Sequence, residues 1–150
     1  MPNETHRAPL RYNISDFFSS LLERNRSAAL ALYEKIKEDT HFVPGFAPEL
    51  DIVVFAPRAG SVSEMSAKSR AIFTAAAQRG LHLAVAELPV SFFSSLEPGV
   101  QRDRETLTCL RSVLMKPEHL DWIDRIWQIL AIAAEASETP KSASRSITQP

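Results

Sequence analysis

The chain is poor in most of the features that announce a chemistry. A single cysteine, Cys109, among 150 residues excludes an internal disulfide and any multi-cysteine metal site. Its four glycines are scattered, so no glycine-rich phosphate cradle can be drawn. Neither sign of charge dominates, with 17 Lys and Arg against 18 Asp and Glu and a net charge of −1. That balance offers no broad basic field to nucleic acid or to an anionic membrane. No apolar run approaches the roughly 20 residues that cross a bilayer, and the polar start from Met1 to Arg7 lacks the apolar centre of a secretory signal. A cytoplasmic protein is the expectation. No His-x-x-x-His or His-Glu-x-x-His spacing occurs, which leaves a zinc site without support.

What is present is ordinary globular material, 45% apolar and 23% charged, long enough for one domain with a sizeable core. The stretch from Glu105 to Leu130 anchors the pattern. Leu107, Cys109, Val113 and Met115 alternate with Leu110 and Leu114, as expected of a strand covered on both faces. Pro117 ends it, and Leu120, Ile123, Ile126, Trp127 and Leu130 follow at helical spacing. Upstream, Asn13 or Ser15 is placed to cap a long helix whose stripe contains Ile14, Phe18, Leu21, Leu22, Ala29, Leu32, Tyr33 and Ile36. Phe42-Val43 begins a short extended segment. Leu50 to Phe55 is rich in β-branched residues between Pro48 and Pro57 and predicts a second strand. Ser61-x-x-Glu64 has the form of a capping box for a helix to about Arg79, with Met65, Ile72, Phe73 and Ala76 inward and Gly80 as its stop. Leu81 to Leu88 predicts another strand, and Glu97-Pro98-Gly99 a turn.

The resulting order of helix, short strand, strand, helix, strand, strand, helix predicts an α+β fold. A small, mainly antiparallel sheet would carry about three helices on one face. Residues 1–12 are expected to form an irregular arm, 13–136 the α+β domain, and 137–150 a disordered Ser/Thr/Lys/Pro tail.

Several side chains are candidates for chemistry. Cys109 beside His6, His41, His82 or His119 is one arrangement for nucleophilic catalysis, weighed against an inert thiol in a central strand. His82 fits a strand position better than a ligand. Arg58-Ala59-Gly60-Ser61 before a helix start is either an anion site or a plain connection. Arg111 stands out, because a charge in a doubly apolar strand needs a partner. Asp51 and Glu87 are the expected partners in a structural ion pair; the alternative is an interface role. Trp122 and Trp127 lie five apart on the last helix, so Trp127 is expected in the core and Trp122 at an exposed interface.

The segment order carries a family resemblance. Leu110-Arg111, four residues, Lys116-Pro117 and a helix with Asp121 and Asp124 near its start resemble the carboxy-terminal end of the pyridoxal-phosphate-dependent group II amino-acid decarboxylases. Lys116 stands where that family commonly has Asn, and Glu118-His119-Leu120 replaces a Thr-rich cap. Glu49 to Phe55 is similar to the family's Pro-x-Leu-x-Ile-Val-x-Phe strand, and Gln78-Arg79-Gly80 with Leu81-His82-Leu83 to its helix-glycine-strand step. The resemblance spans roughly Phe17 to Ala134. It implies the small domain of a fold-type-I, aminotransferase-like enzyme acting on amino acids as a carboxy-lyase. It further implies that the cofactor lysine belongs to a large domain preceding the matched segment. Lys35, Lys37, Lys68, Lys116 and Lys141 lie in nothing like the family's His-Lys motif. The expectation is therefore a truncated or detached small domain with no catalytic, cofactor-binding or metal-binding residue of its own. Its partner would be a large pyridoxal-phosphate-binding domain or a second copy in a dimer, with Arg111 and Trp122 as structural or interface residues. The alternative is a free-standing α+β interaction or regulatory module without catalysis.

Overall fold

The computed structural model describes residues 13–138, so the expected arm at 1–12 and the tail from 139 onward lie outside the described residues. Helix α1 spans Ile14–Glu38. Asn13 caps it from an extended backbone, its Oδ1 accepting the amide proton of Ser15 at 3.2 Å. No proline or glycine interrupts the 25 residues that follow, so the backbone ladder runs unbroken. Helix α2, Val62–Ala77, starts at Ser61, whose hydroxyl accepts from Glu64 N. Glu64 reaches back past the cap and accepts from Gly60 N at 3.0 Å, a capping box widened by one residue. Helix α3 spans Ile123–Ser137, so Ser137, expected to open the tail, is still helical.

Four strands, β1 (Phe42–Pro44), β2 (Ile52–Pro57), β3 (Ala84–Pro89) and β4 (Thr106–Val113), form one sheet in the order β1-β2-β4-β3. Every pairing is antiparallel. The strand after α2 thus takes an edge, and the apolar strand from the opening pattern, β4, sits between β2 and β3. Strand β3 begins three residues later than the apolar run predicts. Leu81 N is committed to Ala76 O at 3.0 Å, so Leu81 closes α2 through Gly80, whose φ of +82° suits glycine. Pro89 remains in the ladder opposite Thr106, which an edge strand tolerates. At the other end, Pro117–Leu120 forms a short 3₁₀ turn and α3 begins only at Ile123.

The pleat divides the core. Val53, Phe55, Leu110 and Leu114 face Ala28, Ala29, Leu32 and Ile36 of α1, Ile72 and Ala76 of α2, and Ile126 and Leu130 of α3. Phe42 meets Phe55 and Trp127 edge-on, with ring centroids 5.4 and 6.1 Å away. All three helices therefore cover one face, as the sequence predicts. The opposite face carries Val43, Val54, Ala56, Leu107 and Cys109 and is closed by Val90, Phe93 and Leu96 from the connection between β3 and β4. That cover has no helical or alternating signature, and the sequence pattern did not predict it.

Candidate functional site

Several candidate chemistries end in structural roles. Cys109 is fully buried and its thiol donates to the Ala86 carbonyl at 3.3 Å. Burial pushes the thiol up to about 11 from an ordinary 9.0, away from the thiolate that attacks. At the Arg58–Ser61 connection the amides of Arg58 and Gly60 and the first amides of α2 are already engaged. Ser61 Oγ takes Glu64 N, Gln101 O takes Val62 N at 3.0 Å, and Asp103 takes both the amide and the hydroxyl of Ser63. Arg58 itself pairs with Glu97 at 3.1 Å. His41 rests on Asp39, and among the described residues no group of His, Cys, Asp and Glu is arranged to hold a metal ion. His6 lies outside them.

Arg111 stands opposite Val54 and Ala84 in the sheet, on the face away from the helices, and is exposed. Neither Asp51 nor Glu87 pairs with it: among the described residues no ion pair or side-chain hydrogen bond involves Arg111. The expected ion pair fails because Glu87 stands opposite Thr108 and Asp51 beside Leu114, both on the helix side of the sheet, whereas Arg111 is on the other side. Water, not a carboxylate, meets the guanidinium. Phe46 and Phe92, themselves exposed, touch at a centroid distance of 6.2 Å.

Trp122, 48% exposed, belongs to a different place. It lines a cleft of about 440 Å³ between the C-terminal turn of α2, the end of β4 and the first turns of α3. Arg79, Lys116 and Arg125 contribute three fixed positive charges to its wall, and His82 and His119 two imidazoles. No carboxylate lines it among the described residues. The nearby acids of the α3 approach are turned toward α1, Asp121 to Arg24 and Asp124 to Lys35, each at 3.1 Å. Leu114 and Ile126 give the cleft an apolar base. Sequence reasoning named Trp122 but missed the cleft, since its walls come from segments some 30 residues apart.

No protein-family profile matches the chain, and no curated protein does. A solved structure does match: the glutamate decarboxylase domain of diaminobutyrate-pyruvate transaminase and L-2,4-diaminobutyrate decarboxylase from Vibrio parahaemolyticus, at a TM-score of 0.53 and 15% identity. What the two share is the fold. The match covers 78% of this chain but only 22% of that one, so this chain spans about one-fifth of the structure it resembles. The α+β small-domain architecture expected from the sequence is consistent with that neighbour.

A catalytic pyridoxal phosphate site requires a lysine, an acid at the pyridine nitrogen and a ring to stack on the cofactor. Lys35 and Lys37 are paired on α1 with Asp124 and Glu34, and Lys68 Nζ donates to the Arg58 carbonyl at 3.4 Å. Lys116 does stand near Trp122 and His119, but the cleft they share contains no acid. Lys141 lies outside the described residues. The described residues therefore do not fit the cofactor as a catalytic group.

One further surface is unusual. The apolar stripe of α1 that enters the core at Ala28, Ala29, Leu32 and Ile36 continues toward the N-terminus past the edge of the core. There Ile14, Phe17, Phe18 and Leu22 are 70, 60, 55 and 59% exposed. The sequence pattern predicts an inward face for Ile14, Phe18 and Leu22. They keep the helical register of that face, but among the described residues they are left largely exposed.

Proposed function

We propose that this chain is the small domain, or a piece, of a pyridoxal-phosphate-dependent amino-acid decarboxylase, and that it is not a carboxy-lyase alone. Support comes from the fold it shares with one-fifth of a decarboxylase domain together with the ordered strand and helix motifs. The observation that carries the reading is the α1 stripe. Four large apolar side chains in one helical register, left exposed among the described residues, are what a domain shows when the body it packs against is on another polypeptide or another segment. The proposed partner is a large cofactor-binding domain, docking on the first three turns of α1, with Arg111 on the open sheet face as a second contact. Neither nucleic acid nor a membrane is part of this reading. Among the described residues no helix is long and apolar enough to cross a membrane.

The test is an assay of the purified chain supplied with pyridoxal phosphate and a panel of labelled amino acids. No carbon dioxide should be released, and denatured protein should carry no covalently tethered vitamin on any lysine. Release of carbon dioxide, or a tethered lysine identified by mass spectrometry, would overturn the proposal.

A further inference from the structure

The two edges of the sheet are unlike. β1 is three residues long and closes with Pro44, and short, proline-ended edges resist further pairing. β3 runs six residues, and its register with β4 is unbroken from Ala84 opposite Arg111 to Pro89 opposite Thr106. It carries no bulge and no lysine, and among the described residues no strand lies on its outer side. The ladder fixes where its amides point. Val90 N donates to Glu105 O at 3.0 Å, one step beyond the pair of Pro89 and Thr106. Alternation then turns Ala84, Ala86 and Leu88 inward to β4, and Val85 and Glu87 outward. Val85 and Glu87 each present an N–H and a C=O to the outside, and Pro89 presents a carbonyl alone.

Both faces beside this edge have room for another strand. On the helix side α2 is tied to β4, where Arg70 donates to Thr108 Oγ1 at 2.9 Å and Ser66 Oγ accepts from Thr108 N at 3.0 Å. Val85, one strand further out, is left 44% exposed. On the other side Arg111 is exposed and without an ion pair or side-chain hydrogen bond among the described residues. Only the methyl group of Ala84 stands between it and the edge. Ala84 and Arg111 form a hydrogen-bonded pair, about 5.5 Å from Cα to Cα, and a residue added outside Ala84 would form a non-hydrogen-bonded pair at about 4.5 Å. A glutamate there and Arg111 can meet above Ala84.

From these features we infer that β3 takes an extended segment of a partner protein as a fifth, antiparallel strand, with a β-branched residue beside Val85 and a glutamate beside Ala84 that pairs with Arg111. Main-chain bonds at Val85 and Glu87 supply the affinity, and the two side chains supply the selectivity. The antiparallel direction continues every other pairing of the sheet and is the more stable per residue. A helix does not fit, because the edge offers backbone donors and acceptors and not an apolar groove. The site stands on residues of this chain alone and does not depend on the decarboxylase reading.

The experiment is an NMR titration of the full chain with the end-capped heptapeptide Thr-Thr-Thr-Val-Val-Glu-Thr, whose second valine falls beside Val85 and whose glutamate falls beside Ala84. The amides of Val85 and Glu87 should shift saturably and gain protection from hydrogen exchange. Those of Ala86 and Leu88, already bonded to β4, should change least. The same peptide N-methylated at the two residues opposite Val85 and Glu87 should not bind. Val85→Pro removes an outward N–H and none from the ladder, so it should keep its circular dichroism and lose binding; if it fails to fold, the N-methylated peptide on wild type decides alone. Glutamine for the peptide's glutamate should weaken binding about two- to fivefold, and Arg111→Gln should abolish that difference. Shifts that do not saturate, equal binding of the N-methylated peptide, or a glutamate preference that survives Arg111→Gln would overturn the inference. So would Val85 and Glu87 amides that respond to protein concentration and not to the peptide, since a second copy would then occupy the edge.

Discussion

Cys109 lies in the middle of β4, fully buried, and that placement makes a pH-dependent prediction. Desolvation raises its thiol from 9.0 to about 11, so the folded state holds the proton more tightly than the unfolded chain. The stability this provides is complete below about pH 9 and is lost as pH rises from there through about 11. The loss should reach roughly 2–3 kcal/mol. Urea melts between pH 8 and 11 should show the fall in wild type and not in Cys109→Ala, and a thiol reagent should label Cys109 only after unfolding. Asp103 works in the opposite direction. The Ser63 hydroxyl, as the largest cause, holds its carboxyl below 3.8, so its cap on α2 contributes above the ordinary carboxylate value and is lost as pH falls through the lowered one. Asp103→Ala should therefore lower the melting temperature at neutral pH and make no difference in strong acid. Ser69 offers a gain. Its buried hydroxyl has no partner in the interior of α2, so Ser69→Ala should stabilise by about 1 kcal/mol through desolvation and helix propensity, measurable as a higher melting temperature.

At the scale of elements, the cap at Asn13 and the stripe behind it can be separated. Asn13→Ala should cost about 1 kcal/mol, whereas Phe17→Ser with Phe18→Ser removes only exposed surface and should leave thermal stability within about 0.5 kcal/mol of wild type. Legibility in the sequence followed whether a signal was local. β2 and β4 were visible from β-branched and alternating residues, α2 from Ser61 and Gly80, and α1 from its long stripe. Periodicity gives the register of a stripe and not the place where the core ends, so nothing local marked Ile14 to Leu22 as uncovered. Arg111 failed for want of the strand register. Its expected partners Asp51 and Glu87 are an odd number of pleats away once the strands are in register, so they fall on the opposite side of the sheet. The cleft was not readable at all, because Arg79, Lys116 and Arg125 meet only through the β1-β2-β4-β3 order.

For the molecule as a whole, the folded core and the exposed apolar stripe of α1 belong together. Three helices on one face of a four-stranded sheet make a body with a core of its own, and the decarboxylase domain it resembles devotes only 22% of its chain to the matched part. On the proposed reading, the exposed first turns of α1 are where a large domain would dock. The most direct test is sedimentation velocity on the wild-type chain and on the Phe17→Ser, Phe18→Ser variant over a wide concentration range. The proposal predicts that the wild type self-associates as concentration rises, through uncovered apolar surface, and that the variant stays monomeric. A wild-type chain that sediments as a monomer throughout, indistinguishable from the variant, would contradict it and favour a free-standing module.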